Sequence, residues 1–351
     1  MQIQWSDRGQ NEKESENGNN RSWYFYFHFK SNSFFNKIHL RIILFISLFF
    51  FSWNAYSQLD QTAANFCDTK PSEGIDKRKL RGLIIGESIT YSTAMTGAYF
   101  LWYKNSMSGG FHFFNDSKEW LLMDKFGHFT TAFVVANASA KCYEWTGMDD
   151  LKSAKIGTLQ SLIFMTSLEV FDGFSSGYGF SWTDFGFNIL GAGTFYINQR
   201  SGERIYIQPK FSFGKSKMAP FRPDVLGENF QQQLLKDYNG QTYWLSIRLK
   251  RLALDVKESH FSPFNISFGY GAQGMTGGHE NVLINEQGQI VPEFQRFRQF
   301  YLSFDIDLRQ IPCKNKVLKK VLNTLNFIKF PFPALEFSRG KVFMNWTSYG
   351  T

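Results

Sequence analysis

Cysteine is scarce and badly placed for chemistry. Cys67, Cys142 and Cys313 are the three in 351 residues. They form no CxxC pair and no metal-ligand spacing, which removes zinc-ribbon and thiol–disulfide exchange readings. An odd number cannot all pair within the chain. In an oxidising compartment Cys67 with Cys313 is a possible bridge that no sequence feature supports, and three free or buried thiols is the preferred reading. Also missing are HExxH, GxSxG, and the GxGxxG and Walker spacings, so zincin, serine hydrolase and nucleotide-binding readings have nothing to rest on. The GFSSGYG run from Gly173 to Gly179 is a helix connection by this standard rather than a phosphate cradle. No internal repeat is present. Acidic charge is in modest deficit, with 38 Lys and Arg against 30 Asp and Glu, a net +8. That balance suits an anionic membrane surface, and with no recognition motif beside it nucleic acid is not expected as a partner.

What the chain has in excess is aromatic residues, 18% of the total with 40 Phe. Such content fits a protein living at or in a lipid boundary.

Along the chain, residues 1–36 are polar and then aromatic without periodicity, and are expected to be a disordered leader, an over-extension of the start. Residues 37–57 combine the basic flank Lys37 and Arg41, an apolar core from Ile42 to Phe51 and the small-x-small site Ala55-Tyr56-Ser57, the pattern of a secretory signal peptide. No cysteine stands directly after that site and Cys67 lies too far downstream, so the lipidation signal of a lipoprotein is lacking. Residues 58–81 read as a linker. Residues 82–103 form a first helix with Glu87 and several small residues. Helical periodicity then runs from Met123 to Trp145, Leu151 to Phe171 and Trp182 to Gln199, with apolar parts of about 15 residues each, short for unaided membrane spans. After Arg200 the period changes to two. Five stretches alternate, most cleanly Phe300, Leu302, Phe304, Ile306 and Leu308 against Tyr301, Ser303, Asp305 and Asp307, and predict antiparallel strands. Residues 314–328 form a basic amphipathic helix, suited to covering a sheet edge or lying on a membrane surface. The expected fold is α+β: an antiparallel bundle of about four helices over 82–200, then an antiparallel sheet or partial barrel over 201–351.

Three polar clusters interrupt the apolar helices: Asp124, Lys125 and His128; Glu169 and Asp172; Ser181, Asp184 and Asn188. Asp124 and His128, like Asp184 and Asn188, are four apart, and Glu169 and Asp172 are three apart, so each pair shares a helix face. Buried polar groups need partners, so the three faces are expected to meet. Ser181 is placed to cap its helix. Such a cluster is either a hydrogen-bond and ion-pair network that fixes helix docking, or a site. As a site, Asp124, His128, Glu169 and Asp184 would hold a divalent cation, or His128 would act as a base.

The order DK..GH, then E..D, then S..D...N..G resembles the VanZ-like membrane domain and, more closely, the related YfiM-like group of predicted periplasmic or outer-membrane lipoproteins of unknown function. The likeness extends through WLLMDKFGH, LEVFDGFS, GFSWTDFGFNILG, KDYNGQTYWLS, FGYGAQGM and RQFYLSFDIDL. It implies an exported envelope protein and places the group's pattern on Asp124, Lys125, His128, Glu169, Asp172, Ser181, Asp184, Asn188 and Gly191. Three functions follow as expectations. The first is a membrane-associated envelope protein that binds lipid or a cell-wall component or scaffolds a partner, without being an enzyme. The second is a metal-assisted hydrolase or transferase on a lipid-linked substrate. The third is an outer-membrane β-barrel, disfavoured because five strands fall short of the roughly eight of the smallest closed barrels.

Overall fold

The computed structural model describes residues 74–351 except 104–106, 108–109, 203–205, 249–262, 286, 347–348 and 350–351. The segments read as leader and signal peptide, and Cys67, lie outside the described residues.

Helix α1 (Lys77–Ala98) starts inside the stretch read as linker, because the Asp76 carboxylate accepts from the backbone N–H groups of Arg78 and Lys79 and caps it. It runs into a π-helical turn, Tyr99–Tyr103. Three long helices follow: α2 (Met123–Trp145), α3 (Asp150–Gly173) and α4 (Trp182–Arg200). Asp149 caps α3, and Ser181 caps α4 by accepting from Asp184 N. The bundle packs through small residues. Ala132, Ala136, Ala140, Ala154 and Ala192 are buried with Phe133, Met165 and Phe195. A β-carbon on Gly157 would meet Ala136 O and Ala140, and one on Gly191 would meet the carbonyl of Phe129, so α3 and α4 touch α2 nearly backbone to backbone. Large apolar side chains such as Ile85, Ile89, Leu159, Ile163, Leu190 and Ile197 point outward. No helix among the described residues is long and apolar enough to cross a membrane.

The second half is an antiparallel meander of six strands in sequence order: β1 (Ile207–Phe213), β2 (Gln241–Arg248), β3 (Phe264–Gln273), β4 (Phe297–Ile306), β5 (Ala334–Ser338) and β6 (Lys341–Asn345). The sequence stretch read as one last strand is a hairpin. Arg339 and Gly340 have φ of 50° and 69°, the positive angles that a two-residue turn between right-twisted strands requires. Between β1 and β2 lie a turn of helix at Pro223–Leu226 and α5 (Phe230–Lys236). The amphipathic helix α6 is shorter than expected, Lys316–Leu325, capped by Asn315. The edge strands β1 and β6 do not pair with each other. Instead β1 takes a parallel bridge from the segment after α6, with Phe211 N donating to Phe327 O and Lys329 N to Phe211 O.

Alternation along the strands resolves into two faces with an unexpected sense. Phe268, Phe300 and Phe304 are 52%, 53% and 59% exposed, with Leu302 and Phe337 beside them. Register lines these residues up across the ladders: Ile266 with Phe304, Phe268 with Leu302, Phe300 with Phe337, and Leu335 with Met344. The inner face combines a buried aromatic group, Trp244, Tyr301 and Tyr349, with many polar side chains. Lys210 and Asp305 are fully buried and paired at 2.6 Å. Lys329 donates to Phe304 O and Phe330 O and lies over the Trp244 ring. Ser246 donates to Asp305, and Gln299, Ser338 and Asn345 donate to Glu336. The apolar face is therefore outside and the polar face inside, the reverse of a water-soluble sheet packed on one side.

Candidate functional site

The polar cluster forms where the bundle meets the sheet. Trp120, Leu121 and Leu122 precede α2 with φ of 48°, 51° and 73°. Three consecutive non-glycine residues in the left-handed region cost about 1–2 kcal/mol each. The turn is held from the sheet side: Trp120 N donates to Gly278 O, and Tyr270 Oη donates to Leu121 O. It delivers Met123 into a buried contact with Met275 and Ala272, stacks Phe126 on Tyr270 at 4.6 Å, and puts Asp124 and Lys125 at the junction.

Lys125 is the centre. Its side chain is fully buried, and Nζ lies 2.6 Å from Asp116 Oδ2, 2.7 Å from Asp184 Oδ1 and 3.3 Å from Asp124 Oδ2. Asp116, from the loop before α2, also accepts from Ser181 Oγ at 2.6 Å and Thr183 Oγ1 at 2.7 Å. Tyr238, just before β2, donates to Asp124 Oδ1 at 2.7 Å. Beside this group His128 Nδ1 stands 3.1 Å from Asn188 Oδ1 and 3.3 Å from Glu169 Oε1, while Nε2 stands 3.8 Å from Asp184 and 3.9 Å from Asp124. Asn188 Nδ2 reaches Glu169 at 3.5 Å.

The structure thus brings together Asp124, Lys125, His128, Glu169, Ser181, Asp184 and Asn188, all members of the three clusters marked in the sequence. Asp172 takes a different position, one turn from Glu169, where it accepts from Tyr103 Oη at 2.9 Å. Asp116, Thr183 and Tyr238 were not among the expected members. The first belongs to an aperiodic loop and the last to the sheet half, so no helical pattern pointed to either. Gly191 contributes no polar atom; it allows α4 to approach Phe129. Cys142 and Cys313 stand away from the cluster without a disulfide.

The charges divide the carboxyls into two kinds. Burial works against ionising Asp116, yet hydrogen bonds from Asp184, Lys125, Ser181 and Thr183 outweigh it and hold its carboxyl well below the usual range. Asp124 is likewise lowered, with His128, Lys125 and Tyr238 overcoming burial. Burial dominates at Glu169, pushed up to about 7, and at Asp184, pushed up to about 8. Burial opposes the charged form of His128, but Asp124, Asp184 and Glu169 together raise it to about 9. At neutral pH the cluster is therefore two cations, Lys125 and His128, facing the firmly ionised Asp116 and Asp124, with the remaining two carboxyls holding protons in part.

The ligand atoms of Asp124, His128 and Asp184 lie within 4.8 Å of one another, close enough to converge on one ion. Such an ion would stand beside the Lys125 ammonium and would have to displace the His128 proton.

Comparison with known proteins bears on this half. Residues 110–200 match the model of a family described as predicted periplasmic lipoprotein (DUF2279). The matched span holds every cluster residue except Tyr238 and stops before β1. It supports an exported, periplasmic protein and names no activity. No curated protein and no solved structure matches the chain.

Proposed function

We propose that the protein is a non-enzymatic component of the cell envelope, associated with a membrane through the outer face of its sheet, where it binds lipid or positions a partner. The observation that carries this is the inverted alternation of β3 and β4. Ile266, Phe268, Phe300, Leu302, Phe304 and Ile306 face outward, while Asn265, Ser267, Gln299, Tyr301, Ser303 and Asp305 face inward. In water an exposed apolar belt of this extent is a liability; against hydrocarbon it is the arrangement that β-structure in lipid adopts. The bundle agrees in part: small residues bring its helices together around Phe133, Met165 and Phe195, and many large apolar side chains face outward, as in helices that associate in lipid. The narrower likeness to the YfiM-like and VanZ-like groups, which include predicted outer-membrane lipoproteins, belongs to the same reading. On this view the Lys125 cluster is a lock. Its ammonium fills the place a bound cation would take and joins α2, α4, the preceding loop and, through Tyr238, the sheet.

Cell fractionation tests the proposal. The chain is expected in the membrane pellet after washes with high salt and alkaline carbonate, and in the soluble fraction after mild detergent. The double variant Phe268→Asp, Phe304→Asp should shift it toward the wash. Complete release of the unaltered chain by salt alone would refute the proposal.

A second reading has one observation in its favour, the convergence of Asp124, His128 and Asp184. It would make the protein a metal-assisted hydrolase or transferase acting on a lipid-linked substrate. A stoichiometric divalent ion in the purified protein, lost in His128→Ala while the fold is kept, would favour it over the lock.

A further inference from the structure

Helix α6 is an amphipathic helix whose apolar stripe the protein leaves largely exposed, with Val321 and Leu322 half-buried. Val317, Leu318, Val321 and Leu325 recur at the spacing that puts residues on one helix face, yet α6 has no buried residue along its length. Val317 and Leu318 are 65% and 49% exposed. An amphipathic helix in a water-soluble domain normally buries that stripe against the core. The stripe continues past the helix end into exposed Ile328 and Phe330, and Ile328 bridges to Phe211 on β1, so it runs on into the sheet edge. Its charge is one-sided. Between Leu308 and Leu325 stand Arg309, Lys314, Lys316, Lys319 and Lys320 and no acidic residue.

Some of this charge serves the fold. Lys319 Nζ donates to Arg309 O and Ile311 O at 2.8 and 3.0 Å, and Arg309 pairs with Asp307 at 2.8 Å. Lys314 and Lys316 are exposed. The place of the helix is also informative. It connects β4 to β5 beyond the end of the sheet marked by Arg248 and Asp307; the bundle meets the opposite end through Tyr243 and Tyr270 and also reaches β1 through Asn198, which bonds the backbone of Ile207. It therefore sits at one rim of the apolar belt.

We propose that α6 is an interfacial helix that lies in the headgroup zone of a bilayer and selects anionic phospholipid. Val317, Leu318, Val321 and Leu325 enter the acyl boundary, and Lys314 and Lys316 meet phosphate. An exposed apolar stripe flanked by lysines is the device that binds such surfaces, by apolar burial together with attraction to anionic lipid. The inference rests on the membrane reading of the sheet and adds to it a lipid class and an orientation, with the α6 rim at the headgroups.

The test is flotation of the full chain with vesicles of pure phosphatidylcholine and of phosphatidylcholine with one quarter phosphatidylglycerol. The unaltered chain should bind the anionic vesicles more tightly, with the difference shrinking as salt is raised. Lys314→Gln with Lys316→Gln should reduce binding to anionic vesicles about fivefold for each lysine, the factor equivalent to about 1 kcal/mol per basic residue at such a surface. Binding to neutral vesicles should be unchanged. Val317→Asp with Leu318→Asp should weaken binding to both kinds; circular dichroism of both double variants confirms that the fold is kept. Equal binding to neutral and anionic vesicles, unaffected by the four substitutions, would overturn the role of α6 while leaving the sheet reading standing. Binding abolished by the α6 variants but indifferent to Phe268→Asp and Phe304→Asp would support α6 and refute the sheet reading. Absence of binding to either vesicle would refute both.

Discussion

The helical bundle and the sheet both send their large apolar side chains outward, and they fill their interiors by opposite means. Inside the bundle, alanine and glycine bring backbones close; the ion pairs around Lys125 stand at the end that meets the sheet, and a second carboxyl, Glu87, accepts from Tyr143 and Gln160 between the helices. Inside the sheet, polar side chains run the length of the strands, from Thr242 and Gln299 through Ser246, Ser267 and Ser303 to Lys210 and Asp305. The difference follows from the two backbones. A helix satisfies its own amides, so its interior needs only close contact. A sheet of six strands curled on itself leaves a core that side chains alone must fill, and a polar filling is stable when its members bond across strands, as Ser246 and Gln299 do. Both halves are thus shaped for the same surroundings, and each carries a buried lysine held by aspartate.

The largest expected effect tests whether those two lysines are equivalent. Lys125→Ala strands Asp116 as a buried charge and takes a partner from Asp124, and about 3–5 kcal/mol of unfolding free energy should be lost, the range for breaking a buried pair by removing one partner. Lys210→Ala strands Asp305 in the same way, but Lys329 lies 3.9 Å from that carboxylate, so the loss should be smaller. Denaturant unfolding of the two variants in detergent gives the ranking; equal losses would mean that the three-aspartate cluster is no tighter than the sheet pair.

Next in size is a test of close approach within α4. Gly191→Ala drives a methyl group into the Phe129 carbonyl and should cost about 1–3 kcal/mol, the usual penalty for overpacking. Gly193, two residues on, has open space around it. Gly193→Ala should be neutral or stabilise by up to about 1 kcal/mol through helix propensity. Opposite results from the pair would mean that α2 and α4 are not packed through Gly191.

The smallest effect is graded with pH. His128 has a folded pKa of about 9 against an ordinary 6.5, so its contribution is complete below about pH 6.5 and lost as pH rises through 9. Glu169 and Asp184 are raised from 4.5 and 3.8 to about 7 and 8. The folded chain keeps those protons where the unfolded chain has released them, and stability again falls as pH rises, between about 4 and 8. Asp116 and Asp124, held below 3.8, act oppositely and withdraw their contribution under stronger acid. Thermal unfolding should therefore be highest near pH 4–5 and decline steadily to pH 9. In His128→Gln the decline should stop near pH 8, where Lys329 inside the sheet, lowered by burial to about 8, begins to act in the opposite sense.

Much of this was legible in the residues. Spacing of four placed Asp124 with His128 and Asp184 with Asn188, and the distances from His128 to Glu169 and Asp184, 3.3 and 3.8 Å, confirm that these helix faces meet. Ser181 caps as its type and place indicate. Period-two alternation identified β4 from Phe300 to Ile306, but Asp307 and Leu308, read as its continuation, belong to the turn that follows, which the Asp307 carboxylate caps. Alternation shows that the two faces differ and not which one is inside; that depends on how the sheet curls, a property of all six strands together. Asp116 and Tyr238 reach Lys125 and Asp124 from segments far apart in sequence, through loops whose path no local periodicity sets. The left-handed turn at Trp120–Leu122 was invisible for a related reason: none of its residues favours that conformation, and only contacts from the sheet hold it.

That turn has a consequence for the order of assembly. The bundle is complete in sequence by Arg200, yet the chain entering α2 at Trp120 and Leu121 is fastened by Gly278 and Tyr270. A chain emerging from its N-terminus onward can form helices early, but the start of α2 stays unfastened until some seventy further residues have been made. Through that interval a chaperone could reach it, and a truncation after α4 would leave it permanently undone.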